Sequence, residues 1–341
     1  MQTAIPQETV QSKRWKGRAP AISVVVSTHG RAKLLAGLIH DLEAQDHRDF
    51  EVIVADNGSE DDTWTMLTER CTLTPLRLCA LRLPFHDGPA VPRNTCIAKA
   101  RGSIIAFTDD DCLPTATWLS SMARAFTPDT SIVQGRTIPE PRGGEGPWGR
   151  TLEVQSPSGL YETANLAARR EAIVEVGGFG GKRLLSGRPF GEDVLLGAAI
   201  ARQGGFTFAP DAVVHHRVMP GSFRDFLEER RRLSGFPLLV RLVPELRQRT
   251  FARIFLSKRT AITDLGLVAA TVAVILGGPF GHLSALAALP AVLPWWWRSS
   301  REARMRPGLP IAWRVPQIVV ADLVGLGALV AGSIRARRLL L

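Results

Sequence analysis

Five acidic residues are candidates for acid–base catalysis or metal binding. Asp109, Asp110 and Asp111 directly follow an apolar run, and Glu192-Asp193 come much later in the chain. In extended backbone, residues two apart project to the same side, so we expect Asp109 and Asp111 to face one cation. Mg²⁺ and Mn²⁺ bind such carboxylates together with phosphate oxygens. The run therefore predicts a metal–diphosphate site. A solvated acidic turn, or a helix cap before Pro114, is the alternative.

Glu192 and Asp193 are candidates for a general base, because a carboxylate within hydrogen-bonding reach can accept the proton of an attacking hydroxyl. Gly191 frees the backbone before them, and residues 194–203 have the pattern of a helix. The alternative is that Glu192 and Asp193 only favour the helix N-terminus electrostatically. His216, after the last predicted strand, is a possible ligand for Mn²⁺, although a lone histidine is often structural.

The elements that must position these residues alternate between strands and helices. Apolar, β-branched runs predict strands, and apolar residues at helical spacing predict the helices between them. The predicted strands are Ile22–Ser27, Phe50–Ala55, Leu76–Leu83, Ser103–Thr108 and Phe206–Val214, with helices at Lys33–Ala44 and Asn94–Ala100. This order predicts an α/β fold with a doubly wound, mostly parallel sheet, whose ligands bind beyond the carboxyl ends of the strands.

Charge separates the chain into regions. Of its 341 residues, 42 are basic and 32 acidic, and 45% are hydrophobic, a composition that excludes a mainly disordered protein. Residues 1–216 carry 23 basic and 25 acidic side chains, whereas residues 217–259 carry 11 and 4, and residues 260–341 carry 8 and 3. Because the basic excess flanks apolar stretches, it suits an anionic membrane surface better than a nucleic acid.

The predicted organisation has four parts. Residues 1–20 are polar and predict a loose tail, and residues 21–216 form the α/β domain. Residues 217–260 predict basic amphipathic helices at a membrane interface, and residues 261–341 an all-α membrane-associated region of two to three apolar segments. We expect residues 265–280 and 283–297 to form a tight hairpin, with 315–334 as a third segment. A soluble helical domain is the alternative. Residues 135–160, rich in Gly and Pro, predict a long loop.

Six motifs in the first 216 residues resemble, in order, those of family 2 glycosyltransferases with the GT-A fold. They are SVVVSTHGR at Ser23–Arg31, VADNGSEDDT at Val54–Thr63, RNTCIAKARG at Arg93–Gly102, IAFTDDDCLP at Ile105–Pro114, GGF at Gly177–Phe179 and GEDVLLGAAIARQ at Gly191–Gln203. The resemblance implies a nucleotide-sugar donor, a divalent metal ion (Mn²⁺ or Mg²⁺) and inversion at the anomeric carbon.

The resemblance also assigns roles. It implies that Asp193 is the catalytic base, with Glu192 on the acceptor side, and that Asp111, together with Asp109 and His216, holds the metal ion. The residues implied to bind the nucleotide-sugar are Thr28, Asp56, Arg93, Asp109 and Asp110. Asp56 has an alternative role as the cap of its own turn. The alternative role of Arg93 is to form an ion pair at the surface.

The expected function is therefore transfer of a sugar, with a UDP-sugar as the default donor of the family, to a hydroxyl of a glycan or lipid-linked acceptor. We expect it at the cell membrane, with the catalytic domain in the cytoplasm and no nucleic-acid partner. A nucleotidyltransferase of sugar phosphates and a non-catalytic membrane scaffold are the alternatives. The chain has no Rossmann-type GxGxxG motif, which would lie between a strand and a helix, and no P-loop, which disfavours dehydrogenases and ATPases.

Overall fold

The computed structural model describes residues 1–86, 88–141, 146–180, 190–306 and 310–341, with the side chains of 276–285 outside this description. It divides into two compact units. Unit 1 comprises Met1–Gly143 and Thr151–Val218, and unit 2 comprises Gly144–Arg150 and Met219–Leu341.

Unit 1 is built on a nine-stranded sheet with the order β1-β4-β3-β2-β5-β8-β7-β9-β6. The strands are β1 Glu8–Gln11, β2 Ile22–Thr28, β3 Phe50–Asp56, β4 Leu78–Arg82, β5 Ile104–Phe107, β6 Cys112–Pro114, β7 Thr130–Pro139, β8 Leu166–Arg169 and β9 Gly205–His216. The helices are α1 Ala32–Glu43, α2 Thr63–Leu73, α3 Ala90–Lys99, α4 Trp118–Ala125, α5 Arg170–Glu175 and α6 Glu192–Gln203.

Strands β4, β3, β2 and β5 run parallel, as the alternating pattern predicts. Their side chains enter two buried clusters, one on each face of the sheet: Val24 and Val26 join the cluster with α1, and Val25 joins the cluster with Ile97 of α3. Burial on both faces explains why these strands have continuous apolar sequences. In this register Thr28 lies beside Asp56, so both strand ends reach the same edge of the sheet.

The rest of the sheet is mixed, not mostly parallel. Strand β8 runs antiparallel to both β5 and β7, and β9 runs parallel to β7 but antiparallel to β6. Half of the eight neighbouring pairs are thus antiparallel, because short strands return here without a crossover helix. The predicted loop over 135–160 also begins too early, since β7 continues to Pro139, paired with β9 as far as His216.

The N-terminal residues are not a loose tail. Glu8–Gln11 form β1, an antiparallel edge strand on β4. A 3₁₀ turn at Lys13–Trp15 buries Trp15 against the core, and the Arg101 guanidinium lies 4.4 Å from the centre of its ring. Backbone pairing and one aromatic anchor hold a segment whose polar sequence shows no strand periodicity.

Unit 2 is helical, with α7 Phe223–Arg232, α8 Phe236–Leu242, α9 Lys258–Met305 and α10 Ile311–Ala336. The expected hairpin is wrong, because α9 is one helix through the whole stretch. Gly332 of α10 lies so close to the backbone of Ser234 that a Cβ there would be 2.3 Å from its carbonyl oxygen. Within the described residues, α10 alone is long and apolar enough to cross a membrane, and 44% of its most apolar window is buried inside the structure.

Candidate active site

The three consecutive aspartates occupy a turn, not a strand. Strand β5 ends at Phe107, and the Cys112 amide donates to the Asp109 carbonyl oxygen at 3.1 Å. The period-two argument for Asp109 and Asp111 therefore fails, since it requires extended backbone. The turn sends the Asp109 carboxylate to Arg93, and the carboxylates of Asp110 and Asp111 to Arg31. Two groups of charged residues result.

The Arg93 group joins distant parts of the sequence. The Arg93 guanidinium, on α3 and 10% exposed, donates to Asp109 Oδ1 at 2.9 Å and to Asp193 Oδ1 at 3.3 Å. The Thr163 hydroxyl donates to the other oxygen of Asp193 at 2.9 Å. Arg93 is thus a buried bridge between the aspartate run and the start of α6, not a surface ion pair.

The charges of this group alter its proton affinities. Desolvation raises the pKa of Asp193, and the nearby Asp109 carboxylate adds to the rise, against the opposing effects of Arg93 and Thr163. For Arg93, burial opposes the charged form, but the carboxylates of Asp193 and Asp109 outweigh it and raise the guanidinium pKa. A carboxylate with a raised pKa accepts protons more readily near neutral pH, as a general base must.

The Arg31 group lies at the carboxyl ends of β2 and β5. Nη1 of Arg31 is 2.8 Å from Asp110 Oδ1 and 3.0 Å from Asp111 Oδ2, and the Thr28 hydroxyl donates to Asp110 Oδ2 at 2.7 Å. Desolvation raises the pKa of Asp110, although Arg31 and Thr28 oppose the rise. Sequence reasoning missed Arg31 as a functional residue. Its position just beyond the end of a buried parallel strand was the available signal.

Asp111 and His216 fit a divalent cation. Asp111 Oδ1 is buried without a hydrogen-bond partner in the described part of the chain and lies 3.5 Å from His216 Nε2. His216 Nδ1 lies 2.9 Å from the Arg217 carbonyl oxygen, which favours the tautomer whose Nε2 carries a lone pair. An unprotonated nitrogen facing an unpartnered carboxylate oxygen is a favourable arrangement for Mn²⁺ or Mg²⁺.

Cys112 is the third residue whose ligand atom lies within this cluster, inside 4.8 Å. Burial raises the pKa of its thiol well above the ordinary value, and the thiol is 3.7 Å from the Ala164 carbonyl oxygen. A protonated thiol is a poor ligand for a hard cation, so Asp111 and His216 are the residues that would hold the metal ion. Asp109 lies outside this cluster and pairs with Arg93.

The charge balance also favours a cation. The ion pairs of the two groups connect four carboxylates with two guanidinium groups, which leaves two negative charges uncompensated when all are ionised. The carboxylates are those of Asp109, Asp110, Asp111 and Asp193, and the guanidinium groups those of Arg31 and Arg93. One divalent cation has the charge that is missing.

Asp56 lies at the end of β3 and caps its own turn, because its Oδ1 accepts from the Ser59 amide at 3.1 Å. Its Oδ2 is buried and has no hydrogen-bond partner among the residues described. Asp56 therefore caps its turn with one carboxylate oxygen and keeps the other as an unused hydrogen-bond acceptor. Nearby, the rings of His29 and His86 lie 4.2 Å apart at an interplanar angle of 33°.

Glu192 is half-buried at the first position of α6. Gly191 before it has φ +77°, a left-handed conformation that side-chain-bearing residues rarely adopt. This turn allows α6 to start with its acids at the Arg93 group.

Comparison with known proteins gives a consistent family. The chain matches the Glycosyl transferase family 2 model over residues 23–184. It is 26% identical to glycosyltransferase AglE of Haloferax volcanii over 63% of this chain and 72% of that protein. It is 29% identical to the GalNAc(5)-diNAcBac-PP-undecaprenol beta-1,3-glucosyltransferase of Campylobacter jejuni over 36% of this chain, and spans only 40% of that relative's length.

Among solved structures, mannosyltransferase PcManGT from Pyrobaculum calidifontis, in complex with GDP-Man and Mn²⁺, superposes with a TM-score of 0.56. The alignment covers 99% of this chain and 90% of that one at 19% sequence identity, a level at which the likeness concerns the fold. The mixed sheet with its flanking helices is the GT-A fold. The family model and the fold thus agree on a glycosyl transferase family 2 domain over residues 23–184.

Proposed function

We propose that this protein is an inverting, metal-dependent glycosyltransferase that moves a sugar from a nucleoside-diphosphate sugar, with a UDP-sugar as the first choice, to a hydroxyl of a lipid-linked acceptor or envelope glycan. The observation that carries the proposal is the bridge by Arg93 between Asp109 and Asp193, beside the pair Asp111 and His216. It supports a single site with one part for the donor and one for the acceptor hydroxyl.

On the donor side, Asp111 and His216 would hold the divalent cation, which when bound neutralises charge on the leaving nucleoside diphosphate. Asp56 has a spare buried carboxylate oxygen suited to an N–H or O–H of the base or ribose. Thr28 and Asp110 are hydrogen-bonded to each other at the same sheet edge and would line the donor site. Arg93 and Asp109 would orient each other, with the charge of Arg93 available to the phosphates.

On the acceptor side, Asp193 would take the proton of the attacking hydroxyl as the new glycosidic bond forms. Thr163 fixes one carboxylate oxygen and Arg93 the other, so the carboxylate has a defined orientation before the acceptor arrives. Direct attack by the hydroxyl on the anomeric carbon requires no covalent intermediate and inverts its configuration. Glu192, next in the chain, would contact the acceptor.

A lipid-linked acceptor and a place at the cytoplasmic face of the membrane are part of the proposal. The Campylobacter relative acts on a PP-undecaprenol substrate. The long apolar helix α10 and the basic excess of residues 217–259 support membrane association, with the basic side chains toward the cytoplasm.

The test is a donor panel. Full-length protein in detergent is incubated with UDP-, GDP- and dTDP-sugars and Mn²⁺ or Mg²⁺, with and without undecaprenyl-diphosphate-linked sugars. We expect slow donor hydrolysis that requires the metal ion, and transfer with inversion when the right acceptor is present. Release of pyrophosphate from a nucleoside triphosphate and a sugar phosphate would instead support a nucleotidyltransferase. Absence of both reactions, with donor binding intact, would favour a non-catalytic scaffold.

A further inference from the structure

Arg31 differs from the other charged residues of the site in its exposure. Its side chain is 42% exposed, yet its Nη1 atom contacts two carboxylates that are only 4% and 9% exposed, those of Asp110 and Asp111. Its Nε and Nη2 atoms make no hydrogen bond within the part of the chain that the structure describes. Arg31 thus covers buried acids with one nitrogen while its remaining donors face outward.

The backbone of Arg31 is fixed while its side chain has room to move. The Arg31 amide donates to the Thr63 hydroxyl at 3.2 Å, and the Leu35 amide donates to the Arg31 carbonyl oxygen at 3.0 Å. The long side chain can therefore change its partners without a change in the fold.

Two cations compete for the carboxylate of Asp111: the Arg31 guanidinium and the divalent metal ion. Asp111 Oδ2 is paired with Arg31, and its Oδ1 faces His216, where the divalent cation would bind. A guanidinium group 3.0 Å from one carboxylate oxygen weakens the attraction of that carboxylate for a second cation and repels it directly. A metal ion that arrives alone therefore meets a site whose negative charge is already partly neutralised.

We propose that Arg31 is an exchangeable counter-ion that couples binding of the metal ion to binding of the donor's diphosphate. Without a donor, Arg31 holds Asp110 and Asp111. When the diphosphate enters, the outward-facing donors of Arg31 pair with it, and the charge of Asp111 becomes available to the metal ion. The two ligands then bind cooperatively, and by linkage each strengthens the other equally. This inference rests on the proposed function of the same site.

The test separates the two ligands. Full-length protein in detergent is titrated with Mn²⁺ alone, followed by the electron paramagnetic resonance signal of free Mn²⁺. UDP, and GDP in a parallel series, is titrated by calorimetry with excess EDTA and again with saturating Mn²⁺. The variants are Arg31→Ala and Arg31→Gln, so that a folding defect in one leaves the other. Arg70→Ala removes a positive charge from α2, where Arg70 lies 3.9 Å from Glu43, and is the matched control.

Because a repelling charge is removed, both Arg31 variants should bind Mn²⁺ alone at least about threefold more tightly than the wild type. They should bind the nucleotide in EDTA more weakly, and Mn²⁺ should strengthen nucleotide binding less than it does in the wild type. Arg70→Ala should match the wild type. Equal or weaker binding of Mn²⁺ alone by both Arg31 variants would overturn the inference and leave the proposed function standing. A wild type that binds no Mn²⁺ with either nucleotide would overturn both.

Discussion

Both units of the protein contain arginine–carboxylate clusters, and their charge balances are opposite. In unit 1, four aspartates share two guanidinium groups. In unit 2, two carboxylates share three: Glu302 contacts Arg259 at 2.7 Å and both Arg298 and Arg306 at 2.9 Å, and Asp322 of α10 pairs with Arg298 and accepts from the Trp295 indole at 3.0 Å. A cluster with excess negative charge has capacity for a cation. A cluster whose ion pairs join more guanidinium groups than carboxylates lacks that capacity and connects helices instead.

The same bond type therefore serves two purposes. In unit 2 the ion pair between Arg298 and Asp322 connects α9 to α10 and is largely buried, with the two side chains 14% and 6% exposed. Removing one partner of a buried pair costs more than the pair contributes, because the other charge is left desolvated. In unit 1 the acids at the sheet edge remain underneutralised, and the pairs that are present orient them for ligands.

The largest effect should follow Asp193→Asn. An amide cannot accept the acceptor's proton, so we expect kcat/KM for transfer to fall by about 10²- to 10⁴-fold. Calorimetric binding of UDP with Mn²⁺ should stay near the wild-type value, because Asp193 lies on the acceptor side. The control is Glu69→Gln, which removes an exposed carboxylate on α2. Loss of nucleotide binding in Asp193→Asn would contradict its assignment as the base.

In unit 2, Asp322→Ala should destabilise the fold and leave the rate of sugar transfer per folded molecule unchanged. It leaves the Trp295 indole without its acceptor and Arg298 with Glu302 alone, for an expected loss of about 1–3 kcal/mol in the free energy of unfolding. Denaturant unfolding measures this loss, and transfer rates are compared per folded molecule. A variant as stable as the wild type but impaired in Mn²⁺ binding would reverse the roles assigned to the two clusters.

The sequence predicts the central strands well, since residues such as Val24 and Val52 lie in runs that are buried on both faces. It does not predict β1, because the polar edge strand Glu8–Gln11 is held by backbone pairing that leaves no periodicity. The Gly and His residues at 281–282, between two apolar runs, predict a turn that α9 does not make.

Prediction from sequence is limited in the same way at the candidate site. Its acids are visible in the sequence, but their partners are set by tertiary contacts. A turn at 109–112 separates Asp109 from Asp111, and Arg31 contacts Asp111 although the two residues are 80 positions apart in the sequence. No local pattern encodes either fact.

The pH dependence of transfer sharpens the assignment of Asp193. Its raised pKa places the acidic limb of kcat/KM above the range of an ordinary aspartate, and activity is lost as pH falls through that pKa. The charge of Arg93 holds the pKa of Asp193 down, so Arg93→Gln should move the acidic limb to higher pH. The comparison uses pH profiles of both proteins at saturating Mn²⁺. An unmoved limb, or one moved to lower pH, would count against the Arg93–Asp193 pairing.

The smallest effect should come from Thr163→Val, which is nearly isosteric and removes one hydroxyl donor to Asp193. Loss of a single hydrogen bond of this kind should reduce kcat by about 3- to 10-fold, with little change in the KM for the donor. Thr163→Ser, which retains the hydroxyl, should recover most of the activity. If the serine variant were as impaired as the valine variant, packing rather than the hydrogen bond would be the cause.

The most direct test of the central claim, that the excess acids of unit 1 hold a divalent cation, is a Mn²⁺ titration of Asp111→Asn beside the wild type in the presence of UDP. We expect one Mn²⁺ bound per wild-type chain and an affinity at least about tenfold weaker in Asp111→Asn, since a ligand's charge is lost. Equal affinity in the two proteins would contradict this claim.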